Sequence, residues 1–219
     1  MADPKSFFLG GAIHDYLVAH GTPPDAVQQR LIERTAGLGG VSMMQISPEQ
    51  GAFMTLVTRI IGARSAVEVG TFTGYSALCI ARGLGEGGHL LCCDVSEEWT
   101  DIAREAWTEA GVADRIDLRI APATETLASL PEARTIDLAF VDADKPNYRA
   151  YVEALLPRMR PDALLMIDNV LWGGAVVDET VDDENTRAIR AFNDWLAADD
   201  RVETVMIPLG DGLTLARVL

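Results

Sequence analysis

Cysteine, basic residues and long apolar runs are all scarce in this sequence. The three cysteines, Cys79, Cys92 and Cys93, are too few for the disulfide framework of a small secreted domain. Cys92 and Cys93 lie in an apolar segment, where we expect buried thiols. No apolar run approaches the ~20 residues that span a bilayer, and Met1–Lys5 lacks the basic and apolar regions of a signal peptide. The sequence therefore predicts a cytoplasmic protein without a membrane segment.

The shortage of basic residues leaves the chain strongly acidic. It has 33 acidic and 18 basic residues, a net charge of −15. Nucleic acids and anionic membranes would be repelled over most of such a surface, so we expect neither as a partner. The 219 residues, 48% of them hydrophobic, suit one α/β domain over residues 1–219.

Strand and helix patterns alternate from residue 48 onward, after an N-terminal helical extension over residues 1–46. Strand patterns cover residues 65–70, 89–94, 116–121, 136–142, 163–168, 202–208 and 213–219. Helices are predicted to begin near residues 48, 75 and 97 and to cover 146–159 and 183–198. Repeated strand–helix units predict a parallel sheet with helices on both faces. Because a short turn at residues 210–212 joins the last two strands, one of them must be antiparallel.

The helix near residue 48 has the sequence pattern of a capping box. Ser47 can cap the first turn, Pro48 suits its first position, and Gln50 can complete the box by bonding back to the cap residue. We therefore expect both polar side chains to be used at this helix end.

A glycine-containing turn, EVGTFTGYS from Glu68 to Ser76, joins the first predicted strand to its helix. Gly70 and Gly74 let the backbone turn tightly and approach a ligand. Asp94 ends the next strand, 24 residues beyond Gly70, where nucleotide-binding α/β proteins place the carboxylate that binds ribose hydroxyls. The spacing is not G-x-G-x-x-G, and no phosphate-binding lysine follows. The pattern therefore indicates a ribose-containing ligand that needs no phosphate cradle, which describes S-adenosylmethionine.

Acidic and amide side chains end the next two strands. Asp142 follows one strand, and Asp168 and Asn169 follow the other. Ligands bind outside the carboxyl ends of parallel strands, so we expect these three side chains to converge. Two carboxylates and one amide oxygen suit a hard cation, Mg²⁺ first, with Mn²⁺ or Ca²⁺ as alternatives. The alternative interpretation is that they are ordinary strand-end turn and cap residues.

A chemical mechanism follows from this arrangement. A phenol has a pKa of about 10 and is a poor nucleophile at neutral pH, but a coordinated dication activates and orients its oxygen. Lys145, three residues past Asp142, could accept the proton; the alternative is a solvated lysine at a helix start. His14, His20 and His89 lie far from these strand ends in sequence, so we expect them to be structural or at the surface.

Together these motifs resemble the cation-dependent O-methyltransferases, the family that includes the catechol and caffeoyl-coenzyme A enzymes. The resemblance runs from about residue 41 to the C-terminus. It rests on residues 44–51 (MQISPEQG), 68–76 (EVGTFTGYS), 141–148 (VDADKPNY), 168–172 (DNVLW) and 210–215 (GDGLTL).

The resemblance implies a Rossmann-like seven-stranded fold, an S-adenosylmethionine cofactor and a homodimer. It also implies roles for individual residues. The metal ligands would be Asp142, Asp168 and Asn169, and the catalytic residues Lys145 and Asp142. The substrate pocket would include Asp144 and Trp172. The cofactor contacts would be Met44, Ile46, Glu68, Gly70, Thr71, Ser76, Asp94, Ala123 and Asp142.

Two other functions are compatible with this type of fold. A nicotinamide-dependent oxidoreductase would need a dinucleotide fingerprint, which is missing. A catalytically silent cofactor-binding protein would be expected to have lost a ligand or the base, yet Asp142, Lys145, Asp168 and Asn169 are all present. The sequence therefore favours methylation of a hydroxyl on a small catechol-like aromatic.

The segment after the fifth strand bears on the size of the substrate. Residues 173–184 contain five acidic residues and no Lys or Arg, and the N-terminal extension offers only Lys5, Arg30 and Arg34 as basic residues. A phosphate-bearing coenzyme A tail would be repelled there. We therefore expect a compact substrate with two adjacent hydroxyls.

Overall fold

The computed structural model describes residues 10–219, so residues 1–9 of the predicted extension, with Lys5, lie outside the described part. The helices are α1 (Gly11–His20), α2 (Ala26–Ala36), α3 (Pro48–Ile60), α4 (Tyr75–Gly83), α5 (Glu97–Glu109), α6 (Ala123–Ser129), α7 (Tyr148–Leu155) and α8 (Glu184–Ala197). The strands are β1 (Ser65–Val69), β2 (His89–Asp94), β3 (Ile116–Ile120), β4 (Ile136–Val141), β5 (Met159–Ile167), β6 (Val202–Ile207) and β7 (Leu213–Val218).

The strands form one seven-stranded sheet in the order β3-β2-β1-β4-β5-β7-β6. Strands β1 to β5 pair in parallel, and β7 pairs antiparallel with both β5 and β6. Six strands thus share one direction and β7 opposes them, which confirms the predicted mostly parallel sheet with one antiparallel strand. The carboxyl ends of β1, β2, β4 and β5 meet at one edge of the sheet.

Both faces of the sheet are buried. Alternation along β1 and β4 directs Val67, Val69 and Val141 to the face covered by α6, α7 and α8. Ala66 and Phe140 point to the opposite face, which α3, α4 and α5 cover. None of the helices in residues 10–219 has the length and hydropathy needed to traverse a bilayer.

The predicted helix over 146–159 is wrong in its last four residues. Helix α7 ends at Leu155, a 3-10 turn covers Leu156–Arg158, and β5 begins already at Met159. The physical reason is Pro157, which has no backbone N–H to continue the helical hydrogen bonds. The structure also contains the seven-residue helix α6, which the sequence did not predict because its segment has no clear apolar periodicity.

The capping box predicted at residues 47–50 is also wrong. The Ser47 side chain makes no capping hydrogen bond at α3, and its Oγ is buried without a partner. Gln50 turns away from the helix end and donates to the Asp168 carboxylate instead. A capping box does form at α2, where Asp25 and Gln28 cap each other's backbone N–H groups.

Candidate functional site

A cavity of about 820 Å³ opens at the carboxyl edge of the sheet, above β1, β2, β4 and β5. It brings together nearly all of the predicted site residues. Those that line it are Met44, Ile46, Gly70, Thr71, Ser76, Asp94, Ala123, Asp142, Asp144, Lys145, Asp168, Asn169 and Trp172. Glu68 does not line it, and neither do His14, His20 and His89.

Glycine is required at both Gly70 and Gly74, because neighbouring protein atoms leave no room for a Cβ atom. Gly70 has φ +90°, and a Cβ there would lie 1.9 Å from the backbone oxygen of Asp142. Gly74 has φ +81°, and its Cβ would lie 2.5 Å from Ala103 and 2.8 Å from Trp107. The glycines therefore let β4 and α5 approach the turn, and of the two only Gly70 lines the cavity.

Asp94 lies at the end of β2 and holds the turn after β1 in place. Its Oδ2 accepts hydrogen bonds of 2.8 Å from the backbone N–H groups of Thr71 and Phe72, and its Oδ1 accepts one of 2.8 Å from Ser96. The carboxylate is half-buried and borders the cavity. Its lone pairs that are not used by the backbone are available to a ligand's hydroxyls.

Glu68 is fully buried beneath this turn. Thr71 Oγ1 donates to its Oε2 at 3.0 Å, and the Cys92 thiol lies 3.5 Å from the same oxygen. Its Oε1 is buried with no partner. Burial raises the pKa of Glu68 to about 8, more than these donors lower it. Glu68 thus supports the turn from below, and its predicted contact with a cofactor remains a prediction.

The ends of β4 and β5 bring Asp142, Asp168 and Asn169 to the same part of the cavity, as expected. Asp168 is only 2% exposed, and its Oδ1 accepts a hydrogen bond of 2.7 Å from the Asn169 backbone. Burial and the neighbouring Asp142 carboxylate raise the pKa of Asp168 to about 7. Among residues 10–219, no three His, Cys, Asp or Glu side chains are grouped to hold a metal ion. Asp142, Asp168 and Asn169 are not such a group, because one of the three side chains is an amide.

Lys145 lies among these oxygens. Its Nζ donates to Tyr148 Oη at 2.6 Å, to Asn169 Oδ1 at 2.7 Å and to Asp142 Oδ1 at 3.2 Å. The residue is only 7% exposed. The alternative interpretation, a solvated lysine at a helix start, is therefore wrong. Sequence reasoning missed Tyr148, whose position three residues after Lys145 on a helix start was the available signal.

Gln50 also lies at this site, although its sequence pattern predicts a role in capping α3. It is 1% exposed, and its Nε2 donates to Asp168 Oδ2 at 2.7 Å. Gly210 leaves room for it, because a Cβ at Gly210 would lie 2.4 Å from Gln50 Oε1. A polar side chain on the inner face of an amphipathic helix was the signal that could have identified it.

Asp144 and Trp172, the two residues predicted to contact a substrate, both line the cavity. Asp144 accepts hydrogen bonds from Tyr151 Oη and Asn147 Nδ2. The Trp172 ring centroid is 5.5 Å from Lys145 Nζ. Phe72 and Trp99, which sequence reasoning had not singled out, form an edge-to-face pair with centroids 5.0 Å apart near Asp94. Such a pair offers an apolar surface for a flat ring.

Comparisons with known proteins agree with this geometry. Residues 21–219 match the family model described as O-methyltransferase. The chain is 38% identical over 208 residues to the probable caffeoyl-CoA O-methyltransferase 1 of Dictyostelium discoideum, covering 93% of this chain and 90% of that protein. It is 41% identical over 180 residues to the mouse (Mus musculus) catechol O-methyltransferase domain-containing protein 1, covering 81% and 68%. The crystal structure of a Bacillus cereus O-methyltransferase in complex with SAH has a TM-score of 0.85 at 34% identity, covering 95% and 97%.

Proposed function

This chain belongs to the S-adenosylmethionine-dependent O-methyltransferase family, and from that premise we propose that it methylates one hydroxyl of a small catechol-like aromatic with the help of a divalent cation. The observation that carries this proposal is the shared cavity. Asp94 borders it at the end of β2, while Asp142, Asp168, Asn169 and Lys145 border it beyond β4 and β5. Adjacent strands lie about 4.8 Å apart, so one molecule can reach from Asp94 toward Asp142.

The donors and acceptors that line the cavity support a place for the cofactor. Asp94 would accept hydrogen bonds from the ribose hydroxyls. Phe72 and Trp99 would contact the adenine, and the turn at Gly70 and Thr71 would hold the remainder of the molecule. The other assigned contacts, Met44, Ile46, Ser76 and Ala123, line the same cavity. S-adenosylmethionine supplies the methyl group that is transferred.

The side chains beyond β4 and β5 fit a hard cation. Burial, and after it the neighbouring Asp142 carboxylate, raise the pKa of Asp168, and a positive charge between the two carboxylates would relieve their repulsion. Asn169 adds a neutral oxygen, and the Lys145 ammonium already contacts oxygens of both Asp142 and Asn169. A bound Mg²⁺ or Mn²⁺ would lower the pKa of a coordinated hydroxyl. We therefore assign Asp142, Asp168 and Asn169 as its ligands.

We assign the role of base to Lys145, which would take the hydroxyl proton once its ammonium has released one proton to solvent. Its Nζ is held by Asp142, Tyr148 and Asn169 at distances of 3.2 Å or less, so it cannot move far from the acceptor oxygen. Trp172 and Asp144 would flank the aromatic ring and its second hydroxyl. Two adjacent hydroxyls suit this geometry because both can approach the same cation and fix the acceptor oxygen in line with the methyl group.

A compact substrate is favoured by the charge around the cavity. Among the described residues that line it, Lys145 is the one basic side chain. Arg30 and Arg34 pair with Glu109 and Glu105 on α5, and Lys5 lies outside the described residues. Some relatives are named for a coenzyme A ester, but here a phosphate-rich tail would find few cations.

The wider expectations belong to the same proposal. They are a single domain over residues 1–219, a homodimer and a cytoplasmic location, and their support is the composition and the family resemblance. Light scattering of the purified protein tests the homodimer directly.

The experiment that tests the cation and the substrate measures methyl transfer from labelled S-adenosylmethionine to catechol and caffeic acid. We expect turnover that is lost in chelator and restored by Mg²⁺ or Mn²⁺. Asp168→Ala should abolish most turnover while the protein stays folded. Asp101→Ala, an exposed position on α5, is the matched control and should retain it. Full activity of the wild type in chelator would exclude the cation-dependent mechanism.

A further inference from the structure

The segment between β5 and α8 carries Trp172 to the cavity in an unusual backbone conformation. Asn169 and Trp172 have φ values of +56° and +47°, and Gly173 and Gly174 have +60° and +86°. A left-handed conformation is disfavoured for a bulky residue such as tryptophan. It persists only where surrounding contacts hold it. The contacts that hold this segment, defined here as the Trp172 loop (residues 169–183), therefore decide where Trp172 lies.

One side chain of α8 binds the backbone of the Trp172 loop at four points. Arg190 Nε donates to the carbonyl of Val176 at 3.0 Å, and its Nη1 donates to that of Val181 at 3.0 Å. Its Nη2 donates to the carbonyls of Ala175, at 2.6 Å, and Asp178. All four acceptors are backbone carbonyls. Arg190 therefore fixes the path of the loop backbone without using the acidic side chains of the loop.

Two backbone hydrogen bonds, from Val170 N–H to the Gly212 carbonyl and from Leu171 N–H to the Asp211 carbonyl, and two side-chain contacts fix the start of the loop. Asn193 Nδ2, one turn along α8 from Arg190, donates to the Val170 carbonyl at 2.8 Å. Asp211 in the β6–β7 turn accepts a hydrogen bond of 2.6 Å from the Gly173 backbone. The loop is thus held on both sides of Trp172 by elements that do not themselves carry the cation ligands or the base.

We propose that Arg190 is a positioning residue that sets the acceptor side of the cavity by holding the Trp172 loop. The guanidinium holds the loop in the shape that places the Trp172 ring 5.5 Å from Lys145 Nζ. A lysine could not replace it, because one ammonium cannot direct donors to four separated carbonyls as the planar guanidinium does. The effect of Arg190 on binding of the methyl acceptor rests on the proposed function. The effect of Arg190 on the path of the Trp172 loop does not depend on that function.

The loop can be tested without any substrate. Hydrogen exchange is measured on the whole protein for wild type, Arg190→Gln and Arg190→Lys. We expect amides in residues 174–181 to exchange at least about tenfold faster in both variants, with β1 and β4 unchanged. Arg201→Gln is the matched control, since Arg201 bonds Asp199 and Glu153 away from the cavity. Unchanged exchange in the loop would overturn the proposal.

The acceptor side is tested by kinetics with caffeic acid. We expect Arg190→Lys to raise KM for caffeic acid about five- to tenfold, with the calorimetric Kd for S-adenosylmethionine unchanged. Trp172→Phe should change KM for caffeic acid much less in the Arg190→Lys background than in the wild type, because both substitutions act on the position of the Trp172 ring. Equal losses in cofactor and acceptor binding, or fully additive effects, would overturn the positioning role. If wild type does not methylate caffeic acid, the proposed function fails while hydrogen exchange still decides the role of Arg190.

Discussion

Gln50 Nε2 donates a hydrogen bond of 2.7 Å to Asp168 Oδ2, joining the first turn of α3 to the end of β5 across 118 positions of the sequence. Both residues are almost fully buried. With the Asn169 backbone on Oδ1, each oxygen of this carboxylate has one fixed donor. The remaining lone pairs therefore face a defined direction.

Gln50→Leu should weaken cation binding, because it leaves one Asp168 oxygen without its donor. Partners of this kind typically change metal affinity by about 10- to 100-fold. The measurement is the Kd for Mn²⁺ by electron paramagnetic resonance. Gln29→Leu on the exposed side of α2 is the control. An unchanged Kd in Gln50→Leu would show that Asp168 keeps its position without the amide.

Asp94→Asn should lower the affinity for S-adenosylmethionine by about 1.5–3 kcal/mol, the usual loss for a hydrogen bond to a charged group. The amide would also turn an NH₂ group toward backbone donors of Thr71, Phe72 or Ser96. Calorimetry measures the Kd, and Asp117→Asn on exposed β3 is the control. Equal affinities for wild type and Asp94→Asn would refute the ribose contact.

Lys145→Met should lower kcat by about 10²- to 10⁴-fold, the range for a lost general base, and leave the Kd for S-adenosylmethionine nearly unchanged. Lys145→Arg should not restore the rate, because a guanidinium does not release its proton in proteins. Single-turnover kinetics at neutral pH provide the measurement. A rate near wild type in Lys145→Met would mean that the cation suffices to ionise the hydroxyl.

Glu68 should make the stability of the protein depend on pH. Its folded pKa of about 8 lies above the ordinary value of 4.5, so between these values the folded state holds a proton that the unfolded chain has lost. Unfolding then releases a proton, and stability falls as pH rises across this window, by a few kcal/mol in total, and levels off above pH 8.

Glu68→Gln should remove the contribution of Glu68 to this slope, because the amide does not titrate, and should leave the contribution of Asp168, whose pKa is also raised. Urea unfolding at pH 5.5, 7 and 8.5 measures it, with the exposed Glu98→Gln as control. The same slope in Glu68→Gln and wild type would show that Glu68 is already ionised in the folded protein at low pH.

The acceptor should be small. Because Lys145 is the one basic side chain among the described residues around the cavity, we expect kcat/KM for caffeic acid to exceed that for its coenzyme A ester. The two are compared under matched salt and cation concentrations. A clear preference for the ester would mean that the charge of residues 173–184 does not control access.

The parts of the site that follow strands could be predicted because the signals are local. Asp94, Asp142, Asp168 and Asn169 each end an apolar run, and the carboxyl ends of parallel strands meet at one edge whatever the details of packing. The same locality explains the errors. At α3 the capping pattern predicts that Gln50 bonds back to the helix end, but Gln50 donates to Asp168 instead, because a carboxylate buried without a donor is costly.

Periodicity, turn residues and short motifs are local features of the chain, and they were enough to predict the seven strands, the single antiparallel strand and the family, although not helix α6. Three arrangements became known only from the folded structure: Glu68 lies beneath the turn after β1, Tyr148 and Asn169 hold Lys145, and Arg190 binds four carbonyls of the Trp172 loop. These contacts join residues whose side chains meet through packing. A hydrogen bond depends on distance and direction in space, which spacing along a chain does not specify.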